Sequence, residues 1–131
     1  MQTLPMICVH DVQASSRWYQ AVLGARSGHG GAEYEQIVIG ERIVLQLHRW
    51  EAHEHPHLGN PALRPYGNGV ALWFESEAFD ADVLRVQATA AEVLEPPHVN
   101  PLAQHRELWL RDPDGYVVVI SSRYGDLGRG R

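Results

Sequence analysis

A pattern of one strand, one helix and three strands runs twice along this chain, with an offset of about sixty-five residues. In the first copy, the apolar run Met6 to Val9 is followed by Asp11, a residue type whose carboxylate accepts from the free amides of a first helical turn. Trp18, Tyr19, Val22 and Leu23 then make one apolar helical stripe, and Gly24 stands where a left-handed cap ends a helix. Strands are predicted over Ala25 to His29, Tyr34 to Ile39 and Arg42 to His48, the last two joined by Gly40-Glu41. After a connecting stretch rich in proline, histidine and glycine, the pattern restarts with the strand Val70 to Phe74. Ser76 is the expected second N-cap, and Phe79, Val83, Val86 and Ala90 recur at helical spacing. Val93-Leu94, Glu107 to Leu110 and Tyr116 to Ile120 supply the remaining strands, with Asp112-Pro113-Asp114-Gly115 as the turn between the last two.

The expectation is an α+β fold of two βαβββ repeats, each a curved mixed sheet with its helix on one face, together forming a concave pocket. Repeat one covers about 4–48, the linker 49–69, repeat two 70–121 and a tail 122–131, all within one domain. With 44% hydrophobic and 21% charged residues in 131, the chain has material for a packed core and is not of a disordered type. No apolar run approaches the roughly 20 residues of a membrane span, and the start lacks the pattern of a signal peptide, so a cytoplasmic location is expected. The single cysteine, Cys8, excludes an internal disulfide and a multi-cysteine zinc site. Eleven arginines and no lysine, scattered under a formal charge of −5, argue against a nucleic-acid partner, which requires concentrated positive charge. Such a surface tolerates a cationic ligand.

Two segments carry a family likeness. Leu4-Pro5-Met6-Ile7-Cys8-Val9-His10-Asp11-Val12, followed by Ser16, Trp18-Tyr19 and Leu23-Gly24, resembles the first strand and helix of the glyoxalase/bleomycin-resistance/dioxygenase, or vicinal-oxygen-chelate, superfamily. Arg106-Glu107-Leu108-Trp109-Leu110-Arg111-Asp112-Pro113-Asp114-Gly115 is similar to its last hairpin. In the metal-using branches, the first, fourth, fifth and eighth strands each present one ligand to a divalent ion acting on vicinal oxygens. The resemblance puts Leu4, Gln46, Val70 and Val119 at those positions, and of these only Gln46 has a donor atom. It therefore implies a metal-free, cofactor-free protein like the bleomycin-resistance branch, acting as a homodimer. The alternative within the family is a metal-dependent lyase, isomerase or dioxygenase.

Strand alternation nominates the cavity residues: Met6 and Cys8 with Leu4, Gln46 and His48 with Val44, Leu72 and Phe74 with Val70, and Glu107, Trp109, Arg111, Val117, Val119 and Ser121 from the closing hairpin. An apolar wall with few polar anchors suits a small organic ligand, aromatic or cationic, sequestered without chemistry. Phe74 and Trp109 would stack on a planar ring, or else serve as ordinary core. Gln46 and His48 would touch ligand or satisfy local structure, since an unpaired polar group inside costs roughly 1–3 kcal/mol. Cys8, with His10 two residues on, could act as a nucleophile only if made acidic; a buried inert thiol is the ordinary alternative. His53, His55 and His57 form a metal-like spacing in the linker, for which a solvated loop is the plain reading.

Overall fold

The computed structural model describes residues 3–52, 59–63 and 70–128, so the His53, His55 and His57 cluster lies outside the described residues. The chain divides into two compact units, Met1–Tyr66 and Gly67–Arg131, in keeping with the duplication. In the first, β1 (Met6–Val9), α1 (Val12–Leu23), β2 (Arg26–Gly30), β3 (Tyr34–Ile39) and β4 (Arg42–Arg49) follow in order. The sheet order is β1-β4-β3-β2, with β1 parallel to β4 and the other pairs antiparallel.

Local chemistry sets the ends of α1. The Asp11 carboxylate accepts the N–H of Ala14 at 2.9 Å, and Gly24 closes the helix at φ 66, a left-handed conformation that costs a side-chain-bearing residue roughly 1–2 kcal/mol. The helix packs on its own sheet, burying Tyr19 and Val22 completely. Alternation along the strands produces two different faces. Ile7, Ile37, Leu45 and Leu47 form a buried row, each fully buried leucine contributing about 1.5–3 kcal/mol, whereas Met6, Tyr34, Gln36 and Gln46 on the opposite row keep partial exposure. Gly30 permits the bulge between β2 and β3, since at φ 150 a Cβ there would lie within 2.4 Å of the Tyr34 and Glu35 backbone.

The second unit repeats the order with β5 (Ala71–Glu75), α2 (Phe79–Gln87), β6 (Glu92–Asn100), β7 (His105–Arg111) and β8 (Val117–Ser121), arranged β5-β8-β7-β6, and a short 3-10 turn at Asp126–Gly128. The turn before β8 forms as its sequence requires: Asp112 Oδ1 accepts the N–H groups of Asp114 and Tyr116 at 2.9 and 2.8 Å.

Three expectations for this unit are corrected. Ser76 is not the N-cap, which falls on Ala78; the Ser76 hydroxyl instead accepts the Ala78 N–H at 2.9 Å and bonds to Asp82. The strand expected at Val93-Leu94 runs on to Asn100 despite Pro96-Pro97, where its register with β7 shifts. The face of β5 is also the reverse of that expected. Trp73 pairs with Val119, and Val119 with Trp109, so these three share a face, while Leu72 and Phe74 pair with Val118 and Ile120 on the other. That second face also holds Leu108, Leu110 and Arg106, whose guanidinium lies 4.8 Å from the Phe79 ring of α2. Leu72 and Phe74 therefore belong to the helix side.

Candidate functional site

In the second unit, the sheet face away from α2 gathers two indoles and two imidazoles around a buried carboxylate. Glu107, 3% exposed, holds the centre. One of its oxygens accepts Trp109 Nε1–H at 2.8 Å; the other accepts from Asn100 Nδ2 at 2.9 Å and His105 Nε2 at 2.6 Å. His98 Nε2 lies 3.7 Å from the first oxygen. Burial alone would raise this carboxyl's pKa. Hydrogen bonds from Asn100, Trp109 and His105, with the charge attraction of His105, outweigh that and hold it below the ordinary carboxylate range.

A carboxylate only accepts, so the hydrogen in the 2.6 Å contact belongs to His105 Nε2. His105 is 5% exposed, and its Nδ1 has no hydrogen-bond partner among the described residues. The Trp73 ring lies beside this imidazole, centroids 6.0 Å apart and planes tilted by 31°, and Tyr124 meets it edge-on at 6.4 Å. Trp73 Nε1 donates to Ser121 Oγ at 2.8 Å. Trp73 and Trp109 meet edge to face, centroids 5.9 Å apart at 84°. Both indole N–H groups are thus fixed by partners on the sheet, leaving the rings to present apolar faces.

The first unit's partly exposed face is a polar chain. Tyr34 Oη donates to Gln46 Oε1 at 2.7 Å, Gln36 Nε2 to Tyr34 Oη at 3.3 Å, and Gln46 Nε2 to the Leu4 carbonyl at 3.2 Å. Met6 pairs beside Gln46, and Cys8 beside His48. His48 Nδ1 donates to the Arg49 carbonyl at 2.8 Å. Burial pushes the Cys8 thiol pKa up, away from the thiolate a nucleophile requires.

Of the residues nominated from sequence, Glu107, Trp109, Val119 and Ser121 share one face of the second sheet, and Met6, Cys8, Gln46 and His48 share one face of the first. Leu72 and Phe74 join neither group. Trp73 and His105 were missed in the second unit and Tyr34 in the first. The signal for His105 was present in the sequence, since His105, Glu107 and Trp109 repeat at the two-residue period of a strand.

A concavity of about 300 Å³ opens elsewhere, at the start of α2 between Glu77, Phe79, Asp80, Arg106 and Arg123. Its Arg106 is already paired with Asp80 at 2.7 Å.

The family model of the glyoxalase/bleomycin resistance protein/dioxygenase superfamily matches residues 3–120. The chain belongs to this superfamily. Its fold is that of a glyoxalase/bleomycin resistance protein/dioxygenase family enzyme from Burkholderia phytofirmans PsJN, with TM-score 0.73, 22% identity, and 91% of this chain and 95% of that one covered. A protein of unknown function from Agrobacterium tumefaciens C58 is similar at TM-score 0.75 and 20% identity, covering 94% of each chain. TioX from Micromonospora sp. ML1 is similar at 0.69 and 16%, covering 93% of this chain and 98% of its own. Among curated proteins none matches.

The metal used by some branches of the glyoxalase superfamily does not fit the donors present at the matching positions. Leu4 and Val119 offer no side-chain lone pair, and neither does Ala71, which the register puts on the Val119 face in place of Val70. Gln46 has both ends of its amide engaged. No group of three or more His, Cys, Asp or Glu among the described residues is placed to hold an ion. None of the described helices is long and apolar enough to cross a membrane.

Proposed function

We propose that this glyoxalase-superfamily protein binds a small planar organic compound on the second sheet, upon the exposed ring of Trp73 beside Trp109, without a metal. The observation that carries this reading is the tethering of both indoles, Trp73 to Ser121 and Trp109 to Glu107. A hydrophobic ring that is 44% exposed, as Trp73 is, and held in one orientation has already lost the freedom that binding would otherwise cost. Aromatic pairs gain about 0.5–1.5 kcal/mol beyond area burial when edge or offset geometry is available. The charge of Glu107 is matched by three donors of its own, so it favours an aromatic compound over a cation.

The test is a thermal-shift screen of planar aromatics, amphipathic cations and small oxo-acids, with hits followed by tryptophan fluorescence. A ligand at 100 times its Kd adds about 2.7 kcal/mol to stability. Four tryptophans contribute to the emission, so quenching is assigned by Trp73→Leu and Trp109→Leu. Planar aromatics are expected to quench, and both variants to weaken binding. Full affinity in both variants would overturn the reading.

A further inference from the structure

We infer that His105, through Nδ1, accepts the hydroxyl proton of an aromatic alcohol stacked on Trp73, beside Trp109. This deepens the function proposed above and rests on it. Three observations converge on the atom. Nε2 is committed to Glu107 at 2.6 Å, so Nδ1, on the far side of the imidazole's Cε1, is directed away from that carboxylate. Nδ1 is buried and has no partner among the described residues, a state that is unfavourable for a polar atom and is relieved by any donor brought to it. The imidazole and Trp73 rings have centroids 6.0 Å apart and planes tilted by 31°, so a compound resting against the indole is placed beside the imidazole.

The proton balance is closed within the site. The O–H bond of the compound breaks, its electron pair stays on oxygen, and the proton forms a bond to Nδ1. The imidazolium so made is balanced by Glu107, which keeps its charge and its hold on Nε2–H. The other titratable groups on this face include His98 and Glu95 from β6, 3.6 Å apart, Glu75 in the cross-strand row of Ser121 and Glu107, and Tyr124 after β8. Tyr124 is 70% exposed, so moving its ring off the imidazole forfeits little buried area.

The probe is 4-nitrophenol, whose absorbance reports its own ionisation, against nitrobenzene, which has the same ring and no hydroxyl. Binding is followed by tryptophan quenching across the pH range in which free nitrophenol titrates. A charge-assisted hydrogen bond predicts that nitrophenol binds about tenfold or more tightly than nitrobenzene, with the phenolate band persisting below the pH at which it is lost in solution. His105→Gln keeps an amide donor for Glu107 but has no basic nitrogen, its carbonyl oxygen accepting a hydrogen bond and not a proton, so it should abolish the persistence of the phenolate band and shrink the advantage over nitrobenzene. Should that variant not fold, the imidazole ¹⁵N signals of the wild type serve instead, with Nδ1 expected to change from acceptor to protonated on adding nitrophenol. Equal affinities with an unshifted absorbance, an undiminished advantage in His105→Gln, or an Nδ1 signal that does not respond would overturn the assignment while leaving the stacking site intact. Quenching by neither compound would overturn both.

Discussion

Trp73 on β5 and Trp109 on β7 stand edge to face across β8, ring centroids 5.9 Å apart, each N–H held by a different residue of the same sheet. Phe74, one residue from Trp73, points to the helix side instead. Substitutions at the two positions should therefore separate. Trp73→Ala should lower stability by less than about 1.5 kcal/mol, because its ring is already partly in water, and should reduce affinity for a planar ligand about two- to tenfold. Phe74→Ala should cost roughly 3 kcal/mol, near the lower end for aromatic truncation in a core, with affinity unchanged in the folded fraction. Denaturant midpoints and fluorescence titrations on the same samples decide between them.

The depressed pKa of Glu107 ties stability to pH. The ionised carboxyl is favoured by folding, so its contribution is fully present above the unfolded value near 4.5 and is lost as pH falls through the lower folded value. Glu107→Gln should be less stable than wild type at neutral pH by about 1–3 kcal/mol, since one of three donors then faces an amide N–H. The gap should narrow below about pH 4.5. Chemical denaturation at a series of pH values measures it; a constant gap would contradict the coupling.

Cys8 should be slow to react. Its thiol is buried with a raised pKa, and the thiolate is the species that attacks disulfide reagents. Native protein should therefore react with a colorimetric disulfide far more slowly than denatured protein, and the rate should rise with denaturant along the unfolding curve. Fast reaction in buffer alone would revive the Cys8/His10 pair as a nucleophile.

The two ends of α1 offer an independent check on local stabilisation. Asp11→Ala removes the acceptor for the Ala14 N–H and should cost about 1 kcal/mol. Gly24→Ala, at a φ of 66, should cost roughly 1–2 kcal/mol. Twelve residues separate the helix ends by about 18 Å, so the double variant should lose the sum. Thermal or urea unfolding of the three variants reads this directly.

The first repeat was legible in sequence almost residue by residue, because its strands alternate and its helix is bounded by an aspartate and a glycine with defined backbone roles. Tyr34–Ile39 is observed as expected. The second repeat was harder for physical reasons. Val70 to Phe74 is apolar throughout, so its composition does not reveal which alternate residues face which way, and a slip of one residue exchanged Trp73 for Phe74. Pro96-Pro97 hid most of β6, and with it the strand that brings Asn100 and His98 to Glu107. His105 was overlooked because β7 was begun two residues late. The family's chemistry was legible at the level of donors, but the hydrogen bonds that commit Gln46 and leave His105 Nδ1 unpartnered required coordinates.

The prolines of β6 have a further effect at the rim of their sheet. Pro96 and Pro97 lie together at the register shift, where two residues of β6 oppose one of β7 on the outermost strand of the sheet, and neither has an N–H to donate. A strand arriving from another molecule would find a gap and a kink where it needs a regular row of donors. β6 also carries exposed Val93 and Val99, the side chains that would make an unbroken edge adhesive. Pro96 and Pro97 thus make this rim a poor template for edge-to-edge pairing, and replacing both with valine is expected to remove that obstacle.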